Sequence, residues 1–400
     1  MDRPIMLTIS AGEWDGIQHR PHHFMRRSAK SGWKVIYVEP PATLLAPLKN
    51  KEMLNRWKLW RKGLREVEEN IYLLSPPPTL PFGNKYRWIN KINQWFISHS
   101  IKKQLGKLEH GTIDLYTFLP NAVDMLPAMN FRHVIYDCVD DHASFTGLIN
   151  ADVVYQMEKD LMEQADVSFA TARQLMEARK GWSSNFHLIP NGAEYEVFEP
   201  ASREGSLPTP DELESIKQPI VGFYGGISDW IDIPLITEVA RELKEFSFVF
   251  IGPVATNVDE LKKLPNVHMF GSRPYKQLPN YLQHFDTTLI PFRINKLTES
   301  VNPIKMFEYL AAGKPVVSTP LPEVLSFQDV VEIGATKEEM IAAIKRSVLP
   351  EYRTEEWTEK RKEVGRVNSW DARWEAVLSL LGEEQTSVRS KENNQYVTSQ

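Results

Sequence analysis

Residues 299–320 read ESVNPIKMFEYLAAGKPVVSTP: a helix stopped at both ends and followed at once by an apolar strand, which is the repeating unit of a parallel sheet. Asn302-Pro303 interrupts what precedes, residues 304–312 read as the helix, Gly313 as its C-cap and KPVVST as the strand. The main-chain N–H groups that open such a helix lack partners within it, and with Lys305 in the first turn they suit phosphate oxygens. Glu308 falls one turn later on the same face, where its carboxylate can accept from vicinal ribose hydroxyls. Asn302, Pro303, Ile304, Lys305 and Glu308 are therefore candidate ligands of a nucleoside diphosphate. A plain helix with a solvated Lys305–Glu308 ion pair fits the same residues.

The strand–helix alternation continues in both directions. Upstream, PIMLTIS, KVIYVEP, IYLLSP, IDLYTFL, HVIYDCV and ADVSFAT are six apolar runs of strand length, with helices predicted at about 21–30 and 84–107. A Pro-, Ser- and Glu-rich stretch at 196–218 interrupts the pattern, which restarts with PIVGFYGG, SFVFIGP, NVHMFG, TTLIPF, KPVVST and VVEIG. Four hundred residues exceed what one core usually serves. The predicted fold is α/β, with two Rossmann-like domains whose parallel sheets face each other across a cleft. Their expected extents are 1–195 and 219–368, joined by the linker 196–218. A terminal helix within 369–382, capped by Ser369, and an unstructured polar tail at 383–400 complete the chain.

Composition removes several function classes. Cys138 is the only cysteine, which excludes a disulfide framework and a multi-cysteine metal site; within VIYDCVDD it reads as a packed strand residue. The ten histidines show no metal-ligand spacing, so no metal is expected. Residues 51–107 hold twelve Lys and Arg against four Glu and no Asp, a local charge of +8 that leaves −13 on the rest of a chain of net −5. The net charge of −5 argues against general nucleic-acid binding. In the basic segment the charges alternate with Trp57, Trp60, Trp88, Trp95 and Phe96, a mixture suited to an anionic membrane surface, although two amphipathic helices with solvated lysines read equally well. There is no apolar run of spanning length, and MDRPIMLTIS lacks the features of a secretory signal; a cytoplasmic protein, at most peripheral on the inner face of the membrane, is expected.

Other candidates sit where strands end. The loop Gly222–Ser228 follows an apolar run, and Gly225 and Gly226 allow main-chain N–H groups to approach phosphates, as a simple tight turn also would. Asp137, Asp140 and Asp141 cluster after VIY, where carboxylates raise one another's pKa and can bind sugar hydroxyls or move protons; helix capping is the competing role for Asp140.

The 299–320 segment resembles the donor-binding motif of retaining GT-B glycosyltransferases of the group 1 type, in which a glutamate, a small-residue helix, glycine and Pro-Val-Val grip the nucleotide sugar. Its form Asn-Pro-x-Lys-x-x-Glu-Tyr-Leu-Ala-x-Gly-Lys-Pro is similar to bacterial cell-envelope members, close to the teichuronic-acid type. The likeness covers nearly the whole chain: the Trp-Asp-Gly loop and first helix at 12–39, Tyr-Asp-x-x-Asp at 134–142, Pro-Asn-Gly at 190–198, the glycine loop at 222–235, and Ser-Trp around Trp370. It implies transfer with retention from a nucleotide-diphosphate sugar, with UDP as the expected carrier, to a glycan or lipid-linked acceptor, without metal or cofactor. It also implies that the last helix crosses back to the first domain. Asp15 and Gly16 become candidates, because the family uses that loop near donor phosphate and acceptor, with His19 and Arg20 as alternative solvent-facing helix-start residues. Asp140 stands close to where many relatives carry histidine, and His142 lies two residues on. The catalytic candidates are thus Asp140, Asp15 and Lys305.

Two departures bear on the site. Ser300 occupies the place of the glutamate usual eight positions before Glu308, with Glu299 one residue out of register. The Lys-Gly usual after the glycine loop is absent, since 225–233 read GGISDWIDI, so the phosphate charge falls to Lys305 or Arg293. A sugar-nucleotide 2-epimerase and a non-catalytic partner subunit of the same fold are the alternatives.

Overall fold

The structure, a computed structural model, describes residues 3–382 apart from 52 and 146. The tail expected at 383–400 lies outside the described residues. The N-terminal sheet comprises β1 (Ile5–Ile9), β2 (Lys34–Val38), β3 (Arg65–Glu68), β4 (Ile71–Leu74), β5 (Ile113–Thr117), β6 (Val134–Cys138), β7 (Val167–Ala170) and β8 (Phe186–Leu188). Their spatial order is β3-β4-β2-β1-β5-β6-β7-β8, parallel except where β3 meets β4. The second sheet comprises β9 (Ile220–Tyr224), β10 (Ser247–Ile251), β11 (Val267–Gly271), β12 (Thr287–Ile290), β13 (Val316–Ser318) and β14 (Val331–Ile333), ordered β11-β10-β9-β12-β13-β14 and parallel throughout. β1, β9 and β10 are buried at every position, as strands covered by helices on both faces must be.

Two strands add to the six anticipated in the first sheet. β3 is the charged sequence REVE, folded back on β4 through a left-handed Asn70; charge and brevity are what an edge strand needs to avoid pairing with other chains. β8, only Phe-His-Leu, closes the other edge half-buried. Neither carries the continuous apolar run that reveals the interior strands.

The stretch 196–218, read from sequence as a linker, forms short helical turns, and Phe198, Ala201 and Leu213 enter the core of the C-terminal unit. The chain then returns to the N-terminal unit through the Trp370–Leu381 helix, whose Trp370 and Trp374 join Phe24 and Trp33 in one core. Ser369 caps that helix, its Oγ accepting from Ala372 N at 3.2 Å. A two-bond bridge precedes the cap, Ala193 N to Asn368 O at 3.1 Å and Trp370 N to Ala193 O at 3.0 Å. Gly192 is required there, since a Cβ would stand 2.6 Å from Asn368 O.

Charged side chains lock this return crossing. Arg27, on the Arg20–Lys30 helix, donates to both oxygens of Glu194 at 2.7 and 2.8 Å and to both of Asp371 at 2.9 and 2.8 Å. His23 Nδ1 lies 2.6 Å from Glu194, and its ring stacks on Trp370 at 4.7 Å. Burial alone would raise the Glu194 carboxyl, but the hydrogen bonds of Arg27 and His23 overcome it and hold the group well below the ordinary 4.5. A carboxylate with a depressed pKa stabilises the fold above its unfolded value and loses that contribution as pH falls through the folded one. Arg27→Met should therefore cost about 3 kcal/mol at neutral pH, and thermal melts should show the wild type losing its advantage as pH drops below 4.5.

Candidate functional site

The carboxyl edges of the two sheets meet through side chains that follow their strands. After β8, Asn191 gives its N–H to Asn302 Oδ1 at 3.0 Å and its Nδ2 to Asn302 O at 2.8 Å. Asn302 Nδ2 reaches Glu323 at 3.2 Å, and Glu323 accepts the Arg173 N–H, after β7, at 2.8 Å. Both polar ends of the Asn302 side chain, a candidate ligand by sequence, are thus used in joining the two units, whereas its main-chain N–H has no acceptor among the described residues.

The Ile304–Ala311 helix opens from the buried Pro303. It is fixed from behind by the Glu355–Val367 helix, which approaches so closely at Gly365 that a Cβ would lie 2.5 Å from Ala311 Cα. Ile304 packs against the N-terminal core. The N–H groups of Ile304 and Lys305 have no acceptor among the described residues.

Lys305 extends its chain across Gly225, where a Cβ would fall 2.0 Å from Lys305 Cε, and its ammonium sits 5.7 Å from the centre of the Phe223 ring. Among the described residues it forms no ion pair. Burial lowers its pKa below that of free lysine, with Glu308 pulling weakly the other way. The solvated Lys305–Glu308 pair is absent: Glu308 is 3% exposed and takes the Tyr275 hydroxyl at 2.7 Å. Burial raises the Glu308 carboxyl above its usual value, against the Tyr275 hydrogen bond and the Lys305 charge. A half-buried cation without an ion pair, beside free N–H groups, is a site for an anion.

The glycine loop is partly committed. Gly225, with φ of +131°, gives its N–H to Ile251 O at 2.8 Å, which withdraws it from the ligands proposed by sequence. Gly226 N–H has no acceptor among the described residues and remains for an anion. Arg293 is exposed after β12, tied to the loop by its N–H to Trp230 O at 2.8 Å. Ser300 is buried in the turn before Val301 and offers no carboxylate.

On the N-terminal side Asp15 and Gly16 are exposed, and Gly16 N–H is used by Glu13 O at 3.2 Å. The alternative solvent-facing role for His19 and Arg20 is corrected. The His19 ring fills the space beside Gly12, where a Cβ would be 2.3 Å away. Arg20 is buried, with Nε 2.7 Å from Asp137 Oδ2, which also accepts the Tyr116 hydroxyl at 2.7 Å. Of the three clustered aspartates, Asp137 is spent on Arg20 and Asp141 is held by Arg179 and Ser144. Asp140 alone keeps a carboxyl without an ion pair among the described residues, and burial, reinforced by Asp141, raises it to about 6. His142 is buried, with Nε2 3.0 Å from Phe118 O. Cys138 packs against Glu158 inside β6, out of reach of any ligand.

Tyr275 and His23 were not recognisable from sequence. They meet across the two units at 5.9 Å between ring centres, and only the fold brings residues 252 positions apart together. A carboxyl raised above its unfolded value destabilises the fold once ionised. Asp140→Asn should raise the melting temperature above about pH 6, with the difference vanishing toward pH 3.8; a variant that is less stable across this range would show that Asp140 has a structural partner.

Comparison with known proteins gives concordant results. Residues 218–348 match the family described as Glycosyl transferases group 1. TuaH of Bacillus subtilis (strain 168), assigned as a teichuronic acid biosynthesis glycosyltransferase, is 30% identical over 287 residues, covering 67% of this chain and 71% of that protein. Among solved structures, sucrose-phosphate synthase from Thermosynechococcus elongatus superposes with a TM-score of 0.68 at 14% identity, over 95% of this chain and 98% of that one. The E. coli trehalose-6-phosphate structure bound with UDP-2-fluoro glucose gives 0.66 at 12% identity, over 95% and 99%. At such identities the structural likeness shows a shared fold of two facing parallel-sheet domains.

Proposed function

Because this chain belongs to the group 1 glycosyltransferases, we propose that it moves a sugar, with retention of configuration, from a UDP-sugar to a cell-envelope glycan or lipid-linked acceptor. The observation that carries the donor assignment is the half-buried Lys305 ammonium, without an ion pair among the described residues, beside the open N–H groups of Gly226, Ile304 and Lys305. A diphosphate supplies the charge this pocket lacks. The ribose diol then takes the place at Glu308 now held by the Tyr275 hydroxyl. As the glycosidic bond to the donor breaks, negative charge grows on the departing phosphate, and Lys305 with the main-chain donors stabilises it without reorganisation. Asp140, raised to about 6, accepts a sugar hydroxyl at the opposite edge. The acceptor proton passes to the leaving phosphate oxygen, so no carboxylate nucleophile is assigned. The cell-envelope acceptor rests on the likeness to TuaH.

Thermal shift with nucleoside diphosphates, followed by NMR of product formed with membrane extract, tests this reading. Donor-dependent transfer with the anomeric configuration kept is the expected result; UDP release with an epimerised sugar and no acceptor would replace it. Glu308→Gln should weaken UDP binding by about 1.5–3 kcal/mol, the worth of a charged hydrogen bond. Lys305→Met should lower turnover by about 10²–10³. Wild-type UDP affinity should fall as alkaline pH deprotonates Lys305, earlier than the 10.5 of a free lysine; calorimetry on Lys305→Met should show no such decline.

A further inference from the structure

The basic aromatic segment leaves a second feature that the donor site does not explain. Beneath the loops that follow β2, β4 and β5 lies a cavity of about 610 Å³, inside the size range of specific ligand sites. Among the described residues its lining holds no charged side chain, although much of it comes from the segment 51–107 of local charge +8. Its amides are mostly used to hold the walls: Asn93 binds the Leu80 N–H and C=O at 2.8 and 2.9 Å, and Asn90 binds Asn121 O at 2.8 Å. What remains facing inward is chiefly hydrocarbon, from Leu45, Met53, Leu80, Phe82, Ile97 and Leu148.

The cavity is graded along the sheet. Thr43 and Thr79, which extend β2 and β4 through a parallel bridge, line its far part, whereas Asn121 lies after β5, one strand from β6 and Asp140. At the Asn121 part, Gln94 Oε1 and Asn121 Oδ1 are buried acceptors with no partner. One part therefore suits hydroxyl donors near the transfer site and the other suits an apolar chain.

The Arg87–Leu105 helix forms one wall and turns an unpartnered face outward. Trp88, Trp95 and Phe96 are 62%, 53% and 51% exposed, at helical spacing with Ile92. Lys91, Lys102 and Lys103 share the exposed surface, and the helix contains no acidic residue. Leu45, which lines the cavity, is 49% exposed. Water is a poor solvent for such a face; an anionic bilayer interface accepts both its rings and its lysines.

We propose that the cavity takes the hydrocarbon chain of a membrane-anchored acceptor, drawn from an anionic bilayer on which the Trp88–Phe96 face rests, with the sugar-bearing head pointing toward Asp140. This deepens the transferase reading and rests on it. The test uses the full chain and n-alkyl glucosides from methyl to decyl, below their micelle thresholds, titrated by calorimetry. Affinity should rise about fourfold per added methylene until the cavity is full. Leu45→Asp at the half-exposed rim and Ile97→Trp inside should flatten the series while the thermal shift with UDP persists. In flotation, wild type should rise with phosphatidylcholine vesicles containing phosphatidylglycerol, and a Trp95→Ser, Phe96→Ser double variant should not. A wild-type affinity independent of chain length, a series unchanged in Leu45→Asp, or no flotation with the anionic vesicles each overturns the proposal. Absence of a UDP shift in wild type counts against the donor assignment alone, since the alkyl series reads a different site.

Discussion

Arg27 is the residue on which the arrangement of the two halves depends. Its planar guanidinium makes paired hydrogen bonds with Glu194, where the chain leaves the first unit, and with Asp371, where it comes back. A lysine could not grip both carboxylates in this way, because its ammonium has no fork to present. With the exit and the return held together, the first unit's core is completed by Trp370 and Trp374 from the end of the chain. The cluster also reaches the Ile304–Ala311 helix, since its His23 lies against Tyr275, whose hydroxyl is bonded to Glu308.

Charge without an ion-pair partner organises the site itself. Lys305, Glu308 and Asp140 form no ion pair among the described residues, the first two on one edge and Asp140 on the other. Around them the other polar groups are spent internally: Asp137 on Arg20, Asp141 on Arg179, Asn302 on Asn191 and Glu323. Not every neighbour is fully used, since Arg20 Nη2, Asp137 Oδ1 and the Tyr224 hydroxyl are buried without a partner.

Much of this architecture was legible in the sequence because interior parallel strands are continuous apolar runs, as IMLTI and SFVFI are. The helix between Pro303 and Gly313 was legible from its stops, and Gly313 indeed adopts φ of +65°. The edge strands β3 and β8 were not, because edges carry charge or half-exposed residues that read as loop. Nor could local pattern reveal which N–H of the glycine loop is free, since Gly225 is taken by Ile251, a strand away. Tyr275 and Arg27 escaped for the same reason: their partners are separated from them by long stretches of chain, and no periodicity records a long-range hydrogen bond.

The reciprocal pair between Asn191 and Asn302 has a mechanical consequence. Each of these bonds involves the main chain of one residue and the side chain of the other, close to where the two lobes touch, and Glu323 braces the same point from Arg173. Because each bond ties the main chain of one lobe to a side chain of the other, neither lobe can slide along the other without breaking both. Together with the Tyr275–His23 contact, at 5.9 Å between ring centres, the two asparagines set the register in which the lobes face each other.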